Sequence, residues 1–109
     1  GTRLADMPIG FDYPLCCACG GKLYVLGNVA DDFANPPPVL QIYDPTRRAW
    51  SRAPDYQEPM WCAEMCSAGS HIFCSWEEPD EPNREKTVVF DTETCTWSER
   101  VDFEQPGRP

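Results

Sequence analysis

The sequence predicts an all-β chain made of two four-stranded antiparallel units in tandem, and three observations predict it. The chain matches itself at a spacing of 47 to 49 residues. Its short apolar runs are separated by glycine and Asp-centred turn signals. Within those runs the apolar residues are consecutive, as in Leu23-Tyr24-Val25-Leu26 and Val88-Val89-Phe90, so both faces of each strand are covered.

The repeat is legible residue by residue. Leu23-Tyr24-Val25 returns as Ile72-Phe73-Cys74, Cys17 as Cys66 and Gly20 as Gly69, all shifted by 49. Tyr43-Asp44 returns as Phe90-Asp91 and Trp50-Ser51 as Trp97-Ser98, shifted by 47. A two-residue contraction therefore lies after Gly27 and after Ser75, in stretches that read as loops, where a change of length costs little.

Each unit divides into four strands. The first covers about Leu15–Ala18, with its copy at Ala63–Ser67, and ends at Gly20-Gly21 or Gly69-Ser70. Glycine supplies the positive φ that a tight hairpin needs. The second strand is Lys22–Leu26, copied at His71–Ser75, and the third is Val39–Tyr43, copied at Thr87–Phe90. The fourth begins at Trp50 and at Trp97 and is the most polar of the set. Asp44 and Asp91 open the turns before it, each placed to accept hydrogen bonds from nearby backbone N–H groups. Gly20, Gly21, Tyr24, Tyr43, Asp44 and Trp50, with Gly69, Phe73, Phe90, Asp91 and Trp97, are thus the structural positions. A two-sheet sandwich would also be all-β, but leaves the long repeat unexplained; radially stacked sheets with a polar outer strand account for it.

Composition narrows the function. The 109 residues form one small domain, and 41% hydrophobic with 12% aromatic residues suffices for a modest core, while 12 prolines imply many loops. No run approaches the roughly 18 apolar residues of a membrane span, and the start Gly1–Pro8 has no signal-peptide core. A net charge of −9 argues against nucleic acid and anionic membranes, which need a positive footprint, and matches a basic protein partner. Seven cysteines, an odd number with Cys16 and Cys17 adjacent, do not form a disulfide framework. They read as small apolar residues in a reducing compartment, cytoplasm or nucleus.

The residues Gly21-Lys22-Leu23-Tyr24-Val25-Leu26-Gly27, Ile42-Tyr43-Asp44-Pro45, Trp50 and Pro54 carry a resemblance to the Kelch repeat, joined in the second unit by Val89-Phe90-Asp91-Thr92 and Trp97. The resemblance covers about Leu15 to Arg100. It implies two four-stranded blades of a Kelch-type β-propeller belonging to a larger ring. The family's paired glycine after the second strand appears as Gly27-Asn28 and as Ser75-Trp76, so the second repeat is degenerate. Residues 1–14 then read as the end of a preceding blade and a linker, with Pro8 matching Pro54. Residues 15–54 form the first repeat, 55–61 the inter-blade loop, 62–101 the second repeat and 102–109 a tail. Two blades do not close a ring, which predicts further blades from a longer chain or from self-association.

The same resemblance implies a non-catalytic protein-binding module. Many members are substrate-recognition domains of ubiquitin-ligase adaptors joined to a BTB or F-box module, and others bind the cytoskeleton or act as scaffolds. In a four-stranded meander the second-to-third loops and the inter-blade loop open on one side. There the chain offers Asp31, Asp32 and Phe33; Trp76, Glu77, Glu78, Asp80, Glu81 and Arg84; and Tyr56, Glu58 and Trp61. Aromatic anchors inside a charged rim are the anatomy of a protein-binding surface, and these residues are the candidate partner contacts. Enzymatic readings are weaker. The copper oxidase of this architecture needs more imidazole than the lone His71 supplies, and no cofactor is expected. A cysteine-based metal or redox sensor using Cys16, Cys17, Cys19, Cys62, Cys66 and His71 is the outsider, because paired C-x-x-C knuckles are missing.

Overall fold

The structure, a computed structural model, describes residues 11–29, 38–58, 60, 64–78 and 81–104. Among them there is no helix. Nine strands form two antiparallel sheets: β1 Phe11–Cys19, β2 Lys22–Val29, β3 Val39–Asp44, β4 Ala49–Arg52, β5 Glu64–Ala68, β6 His71–Glu78, β7 Glu81–Asp91, β8 Thr96–Trp97 and β9 Val101–Glu104. The first sheet runs β1-β2-β3-β4 and the second β5-β6-β7-β8, with β9 also on β7. β8 and β9 pair with opposite ends of β7, so they make one outer strand interrupted at 98–100. At the break Ser98 holds the ladder together: its N–H donates to the Val89 carbonyl at 2.8 Å, and its hydroxyl accepts the Val89 N–H at 2.9 Å.

Both repeats use the same turns. Gly20, Gly21 and Gly69 have φ of 57°, 78° and 59°, as the first-to-second hairpins require. The Asp44 carboxylate accepts the N–H groups of Thr46 and Arg47 at 3.0 and 3.3 Å, and Asp91 accepts those of Glu93 and Thr94 at 2.9 and 3.3 Å. These two bonds, chiefly that from Glu93, hold the Asp91 carboxyl below the ordinary aspartate range. Each turn closes on a left-handed residue that is not glycine, Arg48 (φ 53°) in the first repeat and Cys95 (φ 57°) in the second.

The strands run past their expected ends in several places, β2 continuing from the expected end at Leu26 to Val29. β1 starts at Phe11, inside the stretch read as a linker, and β9 extends to Glu104, inside the stretch read as a tail. The largest difference is at 76–86, expected to be a loop. β6 continues through Trp76 and Glu77 to Glu78, and β7 starts at Glu81, in register Trp76↔Lys86 and Glu77↔Glu85. Glu77, Glu78, Glu81 and Glu85 lie on a two-stranded extension. Lys86 Nζ, 2% exposed, pairs there with the Glu81 and Asp102 carboxylates.

How the sheets stack is the informative part. The cross-strand register puts Cys17, Tyr24, Leu26, Leu40 and Ile42 on one face of the first sheet. On one face of the second it puts Met65, Ile72, Cys74, Trp76, Val88, Phe90 and Trp97. These two faces meet in one core cluster, with Tyr24 and Phe90 rings 6.4 Å apart and Phe90 and Trp97 rings 4.9 Å apart. Burial of each such aliphatic or aromatic side chain contributes about 1.5–3 kcal/mol. Along the inner strands the Ser67 hydroxyl donates to the Ala18 carbonyl at 2.7 Å, and the Cys19 thiol to the Gly69 carbonyl at 3.3 Å. The repeat relates Tyr24 to Phe73, not to Ile72. The front of one sheet therefore covers the back of the next. A sandwich of two equivalent sheets would instead bring like faces together.

Candidate protein-binding groove

The connection after β4 lies against the outer strand of the second sheet, and a groove of about 780 Å³ opens between them. One wall is residues 54–58 and the other residues 95–100. The sequence fixes the first wall locally. Arg52 grips the Asp55 carboxylate with Nε and Nη2, at 2.9–3.2 Å, and the Ala53 N–H donates to the Leu40 carbonyl at 2.9 Å. Trp97 ties the walls together: its indole N–H donates to the Pro54 carbonyl at 2.7 Å, and its ring meets Tyr56 edge-on, 5.6 Å between centroids.

Tyr56 is buried, and its hydroxyl donates to the Glu58 carboxylate at 3.2 Å. Burial, then the neighbouring Glu58 charge, push the phenol above its ordinary value. Glu58, Glu99 and Arg100 are exposed around this aromatic floor, and Arg100 is itself paired with Asp102 at 3.0 Å. Cys95 stands exposed at the end of the groove. The arrangement offers aromatic surface, carboxylates and backbone to a ligand.

Of the residues expected to contact a partner, Tyr56 and Glu58 are brought together here. Glu77 and Arg84 are exposed on the β6–β7 extension, where Glu81 is engaged by Lys86, whose hydrogen bond and charge hold its carboxyl below the usual range. Trp76 is corrected: it is 2% exposed, in the core rather than on a loop, because a β-strand continues through it. Asp31, Asp32, Phe33, Trp61 and Asp80 lie outside the described residues, as does the Glu78 side chain. Phe73, a structural position in the sequence, is 36% exposed. Glu99 and Trp97 complete the groove. Trp97 was legible as a repeat position, whereas nothing in the sequence marked Glu99 as lining a groove with Tyr56.

The cysteines do not gather. Cys16, Cys66 and Cys95 are exposed, Cys17 is half-buried, Cys19 and Cys74 are buried, and none of these six described cysteines forms a disulfide. Among the described residues no group of three or more His, Cys, Asp or Glu side chains could hold a metal ion, and Cys62 lies outside them. Among the same residues no helix is long and apolar enough to cross a membrane. No protein-family model matches the chain, and no curated protein matches it either.

Proposed function

We propose that the chain is a non-catalytic protein-recognition module of Kelch-propeller type. It belongs in a reducing compartment, cytoplasm or nucleus, as the substrate-recognition part of a ubiquitin-ligase adaptor. One observation carries the reading: the groove between residues 54–58 and 95–100 brings the Tyr56 and Trp97 rings together in a lining that also holds Glu58, Glu99 and Arg100. Aromatic surface ringed by charge favours a protein segment, and the chain's net charge of −9 favours one carrying Lys or Arg. Binding here needs no movement of either sheet, because Trp97 and Pro54 already fix the walls. Cytoskeletal or scaffold binding is the second reading and uses the same surface chemistry.

The test is affinity purification with the whole chain and with Glu58→Lys/Glu99→Lys, both under reducing conditions. Both side chains are exposed and the one bond lost is that from the Tyr56 hydroxyl, so the fold should persist, which an unchanged circular dichroism spectrum checks. The recovery of specific partners should fall about tenfold or more, corresponding to about 1.4 kcal/mol. Partners retained at equal yield would remove the groove from the reading. Co-sedimentation with filamentous actin that is lost in the double variant would favour the cytoskeletal alternative.

A further inference from the structure

The charges that line the groove are not equivalent, because most are already matched inside the chain. Asp55 is taken by Arg52, with 2.9 Å between Nη2 and Oδ2. Arg100 is taken by Asp102, with 3.0 Å between Nε and Oδ1. Two carboxylates are left over. Glu58 accepts the neutral Tyr56 hydroxyl at 3.2 Å, and neither Glu58 nor Glu99 has a cationic partner among the described residues. Both are exposed, and both line the groove together with the Tyr56 and Trp97 rings.

Unmatched carboxylates beside aromatic surface suit a guanidinium better than an ammonium. A guanidinium is planar, lies on an aromatic ring and offers five N–H donors, whereas an ammonium is a compact and strongly hydrated charge. The chain carries such a group at the same place. Arg100 lines the groove and follows Glu99 in sequence. Behind burial and Glu58, Arg100 and Asp102 are the next charges that act on the Tyr56 phenol. Asp102 holds Arg100, and Asp102 is itself anchored. It faces Lys86 across the β7–β9 pair, and the Lys86 ammonium, 2% exposed, lies 3.8 Å from it and also pairs with Glu81. A buried ammonium that loses a carboxylate is strongly destabilising, which fixes Asp102 where it is.

We propose that the groove takes an arginine side chain of its partner, engaged by Glu58 and Glu99 against the Tyr56 and Trp97 rings, and that Asp102 is the positioning residue that keeps the chain's own Arg100 from competing for them. This rests on the groove being the recognition site, and adds which side chain it recognises. The device belongs to the second repeat alone. By the 47-residue shift, Lys86, Glu99 and Arg100 stand where the first repeat has Val39, Arg52 and Ala53. The pairing of Arg100 with Asp102 therefore does not follow from the repeat, and neither does the acid at Glu99.

The probe is three pools of capped pentapeptides, mixed at the outer positions and fixed at the centre as Arg, Lys or citrulline, passed over the immobilised full chain. The arginine pool should be retained at least about tenfold better than the neutral citrulline pool and several-fold better than the lysine pool. Glu58→Lys/Glu99→Lys should abolish the difference. Lysine and arginine pools retained equally, and both lost in that double variant, would overturn the arginine assignment and leave the groove as the recognition site. Retention of the arginine pool that the double variant does not touch would remove the groove itself. Asp102→Asn keeps an amide oxygen for Lys86 but releases Arg100, and should lower retention of the arginine pool about fivefold or more. Adding Arg100→Gln should restore it, at a melting temperature equal to that of Asp102→Asn alone. A loss that Arg100→Gln fails to restore would make Asp102 merely structural and overturn its role. Arg100→Gln by itself leaves Asp102 with Lys86, and should hold the arginine pool at least as well as the native chain. A tenfold fall there would make Arg100 a partner contact rather than a competitor, and would overturn the proposal without any change at Asp102.

Discussion

At the scale of single residues, the two aspartates that open the third-to-fourth turns combine local geometry with electrostatics. Asp91 accepts two backbone N–H groups, with His71 Nε2 3.6 Å from its carboxylate, and its carboxyl is held below the ordinary range. A depressed folded-state value means that the contribution is complete above the unfolded aspartate value, about 3.9, and is lost as pH falls through the folded value beneath it. Asp91→Asn keeps an acceptor for the turn but no titrating charge. Urea unfolding of this variant should show a flatter acid limb below about pH 4 than the native chain. If the two limbs coincide, the carboxylate is not what holds the turn. Asp44 and Asp91 could both be found in the sequence, because an Asp two residues before its backbone partners is a local signal. Lys86 could not. It stands where the first repeat has Val39, and only the meeting of Glu81 and Asp102 around it explains a buried ammonium.

At the scale of elements, the turns and central strands were legible and the strand ends were not. Leu23–Leu26 and Val88–Phe90 declare themselves by consecutive apolar residues, as do the hairpins by Gly20 and Gly69. The extension of β6 and β7 was hidden because Glu77, Glu78, Glu81 and Glu85 resemble a solvated loop, and ladder bonds supply what their propensity lacks. The groove was half legible for the same reason: Tyr56 and Glu58 were visible as aromatic and acid, but Trp97 and Glu99, which line the groove with them, lie 41 positions further along the chain. The two matched turns also share a defect, since Arg48 and Cys95 both occupy the left-handed region without being glycine. A left-handed non-glycine residue costs about 1–2 kcal/mol, partly offset by the greater unfolded-state freedom of glycine. Cys95→Gly should therefore raise stability by a few tenths to about 1 kcal/mol, as should Arg48→Gly. A loss measured by denaturant unfolding in either variant would mean that the native side chain holds the turn by contacts outweighing its strain.

At the scale of the molecule, one core cluster spans both sheets, from Leu40 and Tyr24 to Val88 and Phe90. Neither sheet keeps its covered face without the other, so the two should unfold together. Phe90→Ala removes a ring that touches both Tyr24 and Trp97 and should cost about 3–5 kcal/mol. Hydrogen exchange would then quicken in β2 and β3 as much as in β6 and β7. Exchange confined to the second sheet would show two independent units, contrary to the shared core. The burial of Lys86 has a practical consequence as well. The sequence has two lysines, and the other, Lys22, is exposed beside the Gly20-Gly21 turn. An amine-directed fluorophore should thus modify one lysine and spare the other, giving, besides the label on the α-amino group, a label on the first hairpin while the side chains of the groove stay unmodified.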